Sequence, residues 1–203
     1  MFLAALTSLP AITPHSHMYV FDLPGLFSSP QFPQLFVVYS SPTMHNLVPV
    51  TLHLCFNLSI NLTVLIFGWE FNQKIDLDIL PKTLTALTFG YRFNQKIVAN
   101  SLPENLIYLT FEWAFTQKIE PNILPENLLS LSFGKFNQKI APNTLPKKLT
   151  SLYLVFNQQI EPNILPENLL GLTLGIFNQR IGPDFFPKNL TSLTLEHFNQ
   201  QID

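Results

Sequence analysis

One short pattern returns along most of the chain and limits the possible folds more than any other feature. The tripeptide Phe-Asn-Gln, once as Phe-Thr-Gln, recurs every 20 to 22 residues, and an isoleucine follows four residues after each phenylalanine. Its first residues are Phe71, Phe93, Phe115 (the Thr variant), Phe136, Phe156, Phe177 and Phe198. A unit this short cannot bury a core of its own, so the pattern predicts a stack of coils that share one core.

A second block, Leu-Pro-x-x-Leu-x-x-Leu-x-Phe/Leu, lies between successive tripeptides. It begins at Leu80, Leu102, Leu124, Leu145, Leu165 and, with Phe in place of Leu, at Phe186. Leu152 and Leu154 alternate with Ser151 and Tyr153, which predicts a short strand with its leucines turned inward. Each proline fixes φ and keeps the preceding residue extended, which excludes a long helix on the return path.

The spacing from each tripeptide to the next strand block is constant, whereas the spacing from the strand block to the next tripeptide varies. Each repeat phenylalanine stands 13 residues before the first leucine of the next strand block, as from Phe71 to Leu84. From the end of a strand to the next phenylalanine the step varies between 2 and 4 residues. The shortest coil, Leu149-x-x-Leu152-x-Leu154-x-x-Asn157, has the spacing of a leucine-rich repeat. The sequence therefore predicts a mainly β protein, a leucine-rich-repeat-like solenoid with a parallel β-sheet on its concave face and little helix.

Residues 58–203, about seven coils, resemble FNIP repeats. These form a leucine-rich-repeat variant of about 22 residues that is abundant in amoebae and in the giant viruses that infect them. Lys74, Gln159 and Arg180 stand where the family name has proline. The resemblance implies a solenoid for protein interaction, which serves as a substrate-recognition module where it is fused to an F-box.

Residues 1–57 differ in composition from the repeats. They contain seven prolines and no lysine or arginine, and the prolines interrupt every candidate helix, so no F-box is predicted. Phe56-Asn57-x-x-Ile60 and the preceding residues from Asn46 echo a worn coil. We interpret this irregular segment as a degenerate cap of the solenoid, and a decayed or misread gene start is the alternative.

Composition argues against several classes of function. The net charge is −2 and no block of basic residues forms the footprint of a nucleic-acid-binding protein. A single cysteine, Cys55, excludes an internal disulfide and a cysteine-based zinc site. His15, His17, His45 and His53 have no carboxylates at ligand spacing, and the hydroxyls of the strands have no histidine beside them. The sequence predicts no catalysis, no metal and no cofactor.

The start of the chain bears on localisation. Its apolar run is short and has no basic flank, unlike a signal peptide, and no stretch approaches the roughly 20 apolar residues of a spanning helix. We predict a cytoplasmic protein that does not bind membranes, in the host cytoplasm if the protein is viral.

Two polar stripes recur from coil to coil. Asparagines at Asn72, Asn94, Asn137, Asn157, Asn178 and Asn199 are predicted to bond backbone groups of the bend as a ladder, which Thr116 breaks once. A stripe of cations comprises Lys74, Lys96, Lys118, Lys139 and Arg180. This stripe is either a site for an anionic partner or a solvated face neutralised by Glu120 and Glu161.

An aromatic stripe gives the sharpest hypothesis for a binding site. Trp69, Tyr91 and Trp113 each stand two residues after a strand, and coils about 4.8 Å apart would align them beside the concave face. Tyr108 and Tyr153 lie on the strands themselves. The column is either a partner-binding hot spot or ordinary core covered by residues 1–57.

The function predicted from these features is a non-enzymatic scaffold for protein–protein interaction. An enzyme with an unrecognised site, and a non-binding spacer or decaying paralogue, are the alternatives. The strand predicted at 190–195 has no polar capping coil after it, which predicts self-association through this edge or an adjoining segment.

Overall fold

The computed structural model describes residues 62–182 and 185–200, together with the backbone of Leu35–Val38. In these residues eight four-residue strands form one parallel sheet in chain order. The strands are β1 Leu35–Val38, β2 Val64–Phe67, β3 Ala86–Phe89, β4 Tyr108–Phe111, β5 Ser130–Phe133, β6 Ser151–Leu154, β7 Gly171–Leu174 and β8 Ser192–Leu195. The described residues contain no helix. The predicted solenoid with a parallel sheet is therefore confirmed.

The strands alternate between the core and the solvent as their sequences require. In β3 the side chains of Leu87 and Phe89 are buried, whereas those of Ala86 and Thr88 face outward and are half-buried. Leu87 pairs with Leu109, and Leu109 with Leu131, so identical positions of successive coils meet in register. Because the period of side chains along a strand is two, this register puts every buried residue on the same face.

Phenylalanines fill the core as two adjacent columns. The rings of Phe89 and Phe93 stack within their own coil at 4.0 Å between centroids. Phe89 also stacks on Phe111 of the next coil at 5.0 Å, and Phe93 on Phe115 at 6.1 Å. In the last three strands a leucine replaces the strand-end phenylalanine, so the double column ends after β5. The aromatic core and the longest strand-to-phenylalanine junctions are therefore in the same half of the solenoid.

In the coils that begin at Phe71, Phe93, Phe115, Phe136 and Phe156, the return path consists of two tight turns. The first turn has a residue in the left-handed region, with φ between 57° and 62°, at Asp78, Asn100, Asn122, Asn143 and Asn163. Asn and Asp tolerate this conformation because their short side chains bond the local backbone. In the second turn a leucine N–H donates a hydrogen bond to a proline carbonyl oxygen, for example from Leu106 to Pro103 at 3.2 Å.

Strands β1 and β8 are the two edge strands of the described sheet. Strand β1 lies inside the predicted irregular segment 1–57 and pairs in parallel with β2, Leu35 opposite Val64. The worn coil echoed at 46–60 lies outside the described residues. Strand β8 pairs with β7, and Leu193 is exposed although its counterpart Leu172 is buried. Self-association through this edge stays a prediction.

Candidate functional site

The loops that follow β2 and β3 position a stacked pair of aromatic rings. The centroids of Trp69 and Tyr91 are 4.0 Å apart and the ring planes differ by 5°. The backbone fixes this spacing because Arg92 N–H donates to the carbonyl of Trp69 at 3.0 Å. Glycine is required at Gly90, where a Cβ would lie 1.8 Å from the carbonyl oxygen of Gly68. The close approach of these two loops brings the rings into contact.

Trp113 continues the column by one coil. Ala114 N–H donates to the carbonyl of Tyr91 at 2.9 Å, which repeats the link between the first two loops. Within residues 62–182, however, the structure shows no ring stack between Tyr91 and Trp113. The predicted column therefore consists of a stacked pair and a separate tryptophan.

The two tryptophans of the column are among the most exposed apolar side chains described. Trp69 is 57% exposed and Trp113 45% exposed, and Tyr91 is half-buried between them. Arg92 forms an ion pair with Glu70 at 2.7 Å beside the stack, across the same two loops. The alternative that residues 1–57 cover this column concerns residues outside the described part, apart from the backbone of β1, and stays a prediction.

Tyr108 and Tyr153 stand on the outward face of the sheet but do not join the aromatic column. Tyr108 is exposed, and its neighbours in register are Ala86 and Ser130. Tyr153 is half-buried between Ser132 and Thr173. Because the flanking side chains are small, each tyrosine projects beyond its neighbours on the outward face of the sheet. One strand, β5, separates the strands of the two tyrosines.

The cation stripe is partly neutralised. Lys74 pairs with Asp76 at 2.6 Å, Lys118 with Glu120 at 3.0 Å and Lys139 with Glu161 at 3.2 Å. In the described part of the chain, Lys96 and Arg180 form no ion pair. Exposed pairs contribute only about 0–1 kcal/mol, so they add little stability. The geometry favours a mixed-charge surface over a continuous anion-binding stripe.

The predicted asparagine ladder runs along the outside of the bends. Asn72 accepts from Asn94 N–H at 2.9 Å, and Asn94 accepts from Thr116 N–H at 2.9 Å. Beyond Thr116 the ladder resumes at Asn137. The backbone N–H groups of Asn157, Asn178 and Asn199 donate to the side-chain oxygens of Asn137, Asn157 and Asn178, at 2.9, 2.8 and 2.9 Å. Among the described residues no bond joins Thr116 to Asn137, so the break lies where the sequence places it.

Two further sets of ladder residues were missed by sequence reasoning. The glutamine of the tripeptide donates to the asparagine of the preceding coil, as from Gln95 Nε2 to Asn72 Oδ1 at 3.0 Å. The asparagine of the Leu-Pro-x-Asn block donates to the backbone of the preceding coil, as from Asn127 Nδ2 to the Glu104 carbonyl at 3.0 Å. The recurrence of both residues in the repeat is the signal that could have found them.

The described residues contain neither a metal-binding cluster nor a membrane-spanning helix. No group of three or more His, Cys, Asp or Glu side chains close enough to hold a metal ion occurs among the described residues. His15, His17, His45 and His53 lie outside them. Nor does any helix there have the length and apolar character needed to cross a bilayer.

Comparison with known proteins gives a family and a structural neighbour. The profile described as FNIP Repeat matches residues 55–92, 93–135, 136–175 and 177–203. The crystal structure of the giant-virus protein CroV588, described as a novel circular LRR protein structure, is 46% identical, with a TM-score of 0.65. The match covers 71% of this chain and 21% of that one, so this chain spans about a fifth of that protein's length. No sequence among the curated proteins matches.

Proposed function

Because the chain belongs to the FNIP repeat family, we propose that it is a non-enzymatic scaffold that binds a protein partner in the cytoplasm, as a recognition module. Stacked repeats present an extended rigid surface, and they are well suited to binding macromolecules. The partner we propose is a protein, not a nucleic acid or a membrane, because the described surface mixes both signs of charge along its polar stripes.

The observation that carries the proposal is the exposed aromatic surface of Trp69, Tyr91 and Trp113. Tryptophan and tyrosine are enriched among the residues that dominate binding energy, because they bury a large area with few rotatable bonds. Leaving two tryptophans about half in water costs roughly 25 cal/mol for each Å² of apolar surface that stays hydrated. A partner that covers these rings recovers that free energy.

The stack is also organised before a partner arrives. Trp69 is held against Tyr91 by ring contact, and the loop beneath is held by the bond from Arg92 N–H to the Trp69 carbonyl. Binding therefore costs less side-chain entropy here than at a freely rotating tryptophan, for which the cost is about 0.5–1.5 kcal/mol. An apolar or aromatic side chain of the partner, laid on the open face of Trp69 or Trp113, is the contact we propose.

Affinity capture from host-cell extract, with quantitative mass spectrometry, tests the proposal. The bait is the full chain, and the variants are Trp69→Ala and Trp113→Ala. Leu77→Ala is the matched control, because Leu77 is a similarly exposed apolar residue on the return path, away from the aromatic column. We expect at least one protein that wild type and the control capture and that both tryptophan variants lose. If every captured protein is retained by the tryptophan variants, the proposed site is wrong.

A further inference from the structure

A second surface lies at the other end of the strands, just before β5 to β8 begin. It is an open groove with a volume of about 740 Å³. Leu129 and Leu170 are its exposed apolar walls, at 38% and 45% exposure, and Thr150 lies in the coil between them. Lys148 and Lys188 also line the groove. None of these five residues takes part in the aromatic column.

The polar side chains of the groove already have partners within the protein. Thr150 Oγ1 donates to the Leu129 carbonyl at 3.0 Å, and Thr191 Oγ1 donates to the Leu170 carbonyl at 3.0 Å. The amides of Asn168 and Asn189 donate to backbone carbonyls of the preceding coils, at 2.9 and 3.0 Å. What the groove leaves for a ligand is the aliphatic surface of its leucines and the charge of its lysines.

The described residues that line the groove carry charge of one sign. Lys148 Nζ donates to Asn127 Oδ1 at 2.8 Å, which holds its ammonium group at the wall without neutralising it. Neither Lys148 nor Lys188 forms an ion pair with any residue of the described part. Among the described residues no aspartate or glutamate lines the groove, and Glu167, one coil before Lys188 in the same position of the repeat, does not pair with it. Carboxylates are the complementary groups.

The spacing of the coils sets the shape of a ligand. Leu129 and Leu170 are two coils apart, so about 10 Å separates them, and one aliphatic side chain can lie between them over Thr150. Lys148 and Lys188 are also two coils apart. In a polyproline II chain, which rises about 3.1 Å per residue with three residues per turn, carboxylates three residues apart lie on the same side and match that distance.

We propose that this groove binds an extended acidic segment of a partner protein. A leucine-like side chain of the segment packs between Leu129 and Leu170, and its flanking carboxylates bind the ammonium groups of Lys148 and Lys188. The proposal depends on the solenoid but not on the aromatic column, so an experiment can disprove binding at one surface without disproving it at the other.

Fluorescence anisotropy with a labelled synthetic peptide tests this site on the full chain. The probe carries two glutamates three residues apart with a leucine between them. We expect Leu170→Ser and Lys188→Glu each to weaken binding about tenfold, the equivalent of about 1.4 kcal/mol. The matched controls are Leu77→Ser and Lys82→Glu, an exposed leucine and an exposed lysine on the return path outside the groove, and these should bind as wild type does.

Two altered peptides separate specific binding from general attraction. A peptide with lysines in place of the glutamates should bind Lys188→Glu more tightly than it binds wild type. A peptide with serine in place of the leucine should bind at least fivefold more weakly than the probe. Absence of binding by the probe, equal weakening by the control variants, or full binding by the serine peptide would each overturn the proposal. Should Leu170→Ser prove unfolded by circular dichroism, the exposed Lys188→Glu variant still decides it.

Discussion

The ring of Trp69 lies flat on the ring of Tyr91, 4.0 Å between centroids, although the two residues are 22 positions apart in the sequence. The contact exists because one full coil separates them and the loops beneath are bonded through Arg92 N–H. A solenoid thus converts a sequence period into a surface of adjoining side chains. The candidate site depends on this conversion.

Trp113→Ala should weaken binding of the captured partner by about 2 kcal/mol or more and leave stability nearly unchanged. The reason is that Trp113 is 45% exposed and has no ring stacked on it in residues 62–182. Titration calorimetry with the purified partner and thermal denaturation measure the two quantities. A loss of stability with intact binding would show instead that the column is core.

Leu109→Ala or Phe133→Ala should each cost roughly 2–5 kcal/mol of stability, because both side chains are buried and their removal leaves a cavity. Hydrogen exchange should show faster exchange in the coils on both sides, since each coil completes its core with its neighbours. Ser132→Ala, on the outward face beside Phe133, is the control. Faster exchange confined to one coil would contradict the shared core.

Gly90→Ala should destabilise the protein, by about 1–3 kcal/mol or more, because the added Cβ would lie 1.8 Å from a backbone oxygen that cannot move aside cheaply. Gly171→Ala is the matched control, since nothing lies within 4 Å of the Cβ it would add. Thermal denaturation of the two variants should give a lower midpoint for the first and an equal or higher one for the second. Equal midpoints would show that the two loops are not in close contact.

Thr116→Asn should stabilise the protein, because the hydrogen bond it adds to the ladder, worth about 0.5–1.5 kcal/mol, outweighs the long 3.3 Å bond from Thr116 Oγ1 to Asn94 Oδ1 that it removes. An asparagine there can keep the bond from residue 116 N–H to Asn94 Oδ1 and offer its own Oδ1 to Asn137 N–H. Asn157→Thr makes the reverse change, in a part of the ladder that is intact on both sides, and should destabilise by a similar amount. Urea denaturation of both variants checks the signs, and a destabilised Thr116→Asn would contradict the account of the break.

Sequence alone predicted the features that depend on a single coil and its nearest neighbour. Leu152 and Leu154 alternate with Ser151 and Tyr153, and this pattern fixes which face is buried in any short strand. The asparagine ladder and its interruption at Thr116 followed from the same reasoning, because identical positions of stacked coils meet at one spacing.

Tertiary structure decided what depends on side-chain direction and on coils that are not adjacent. The period placed Trp69, Tyr91 and Trp113 in one column. Only the structure showed that the rings of Trp69 and Tyr91 stack and that Trp113 stacks on neither of them. Ring orientation depends on rotamers and on the local loop path, which periodicity does not specify.

The structure also decided which cations of the stripe are paired. Lys139 pairs with Glu161 of the next coil, whereas Lys96 and Arg180 form no ion pair with the described residues. In the groove, Leu129 and Leu170 became the two walls of one surface because the intervening coil carries a threonine. Such a surface is formed by residues of several coils, at positions where each coil departs from the repeat. A repeating sequence therefore determines the frame of the solenoid, and the three-dimensional placement of its exceptions determines what the frame can bind.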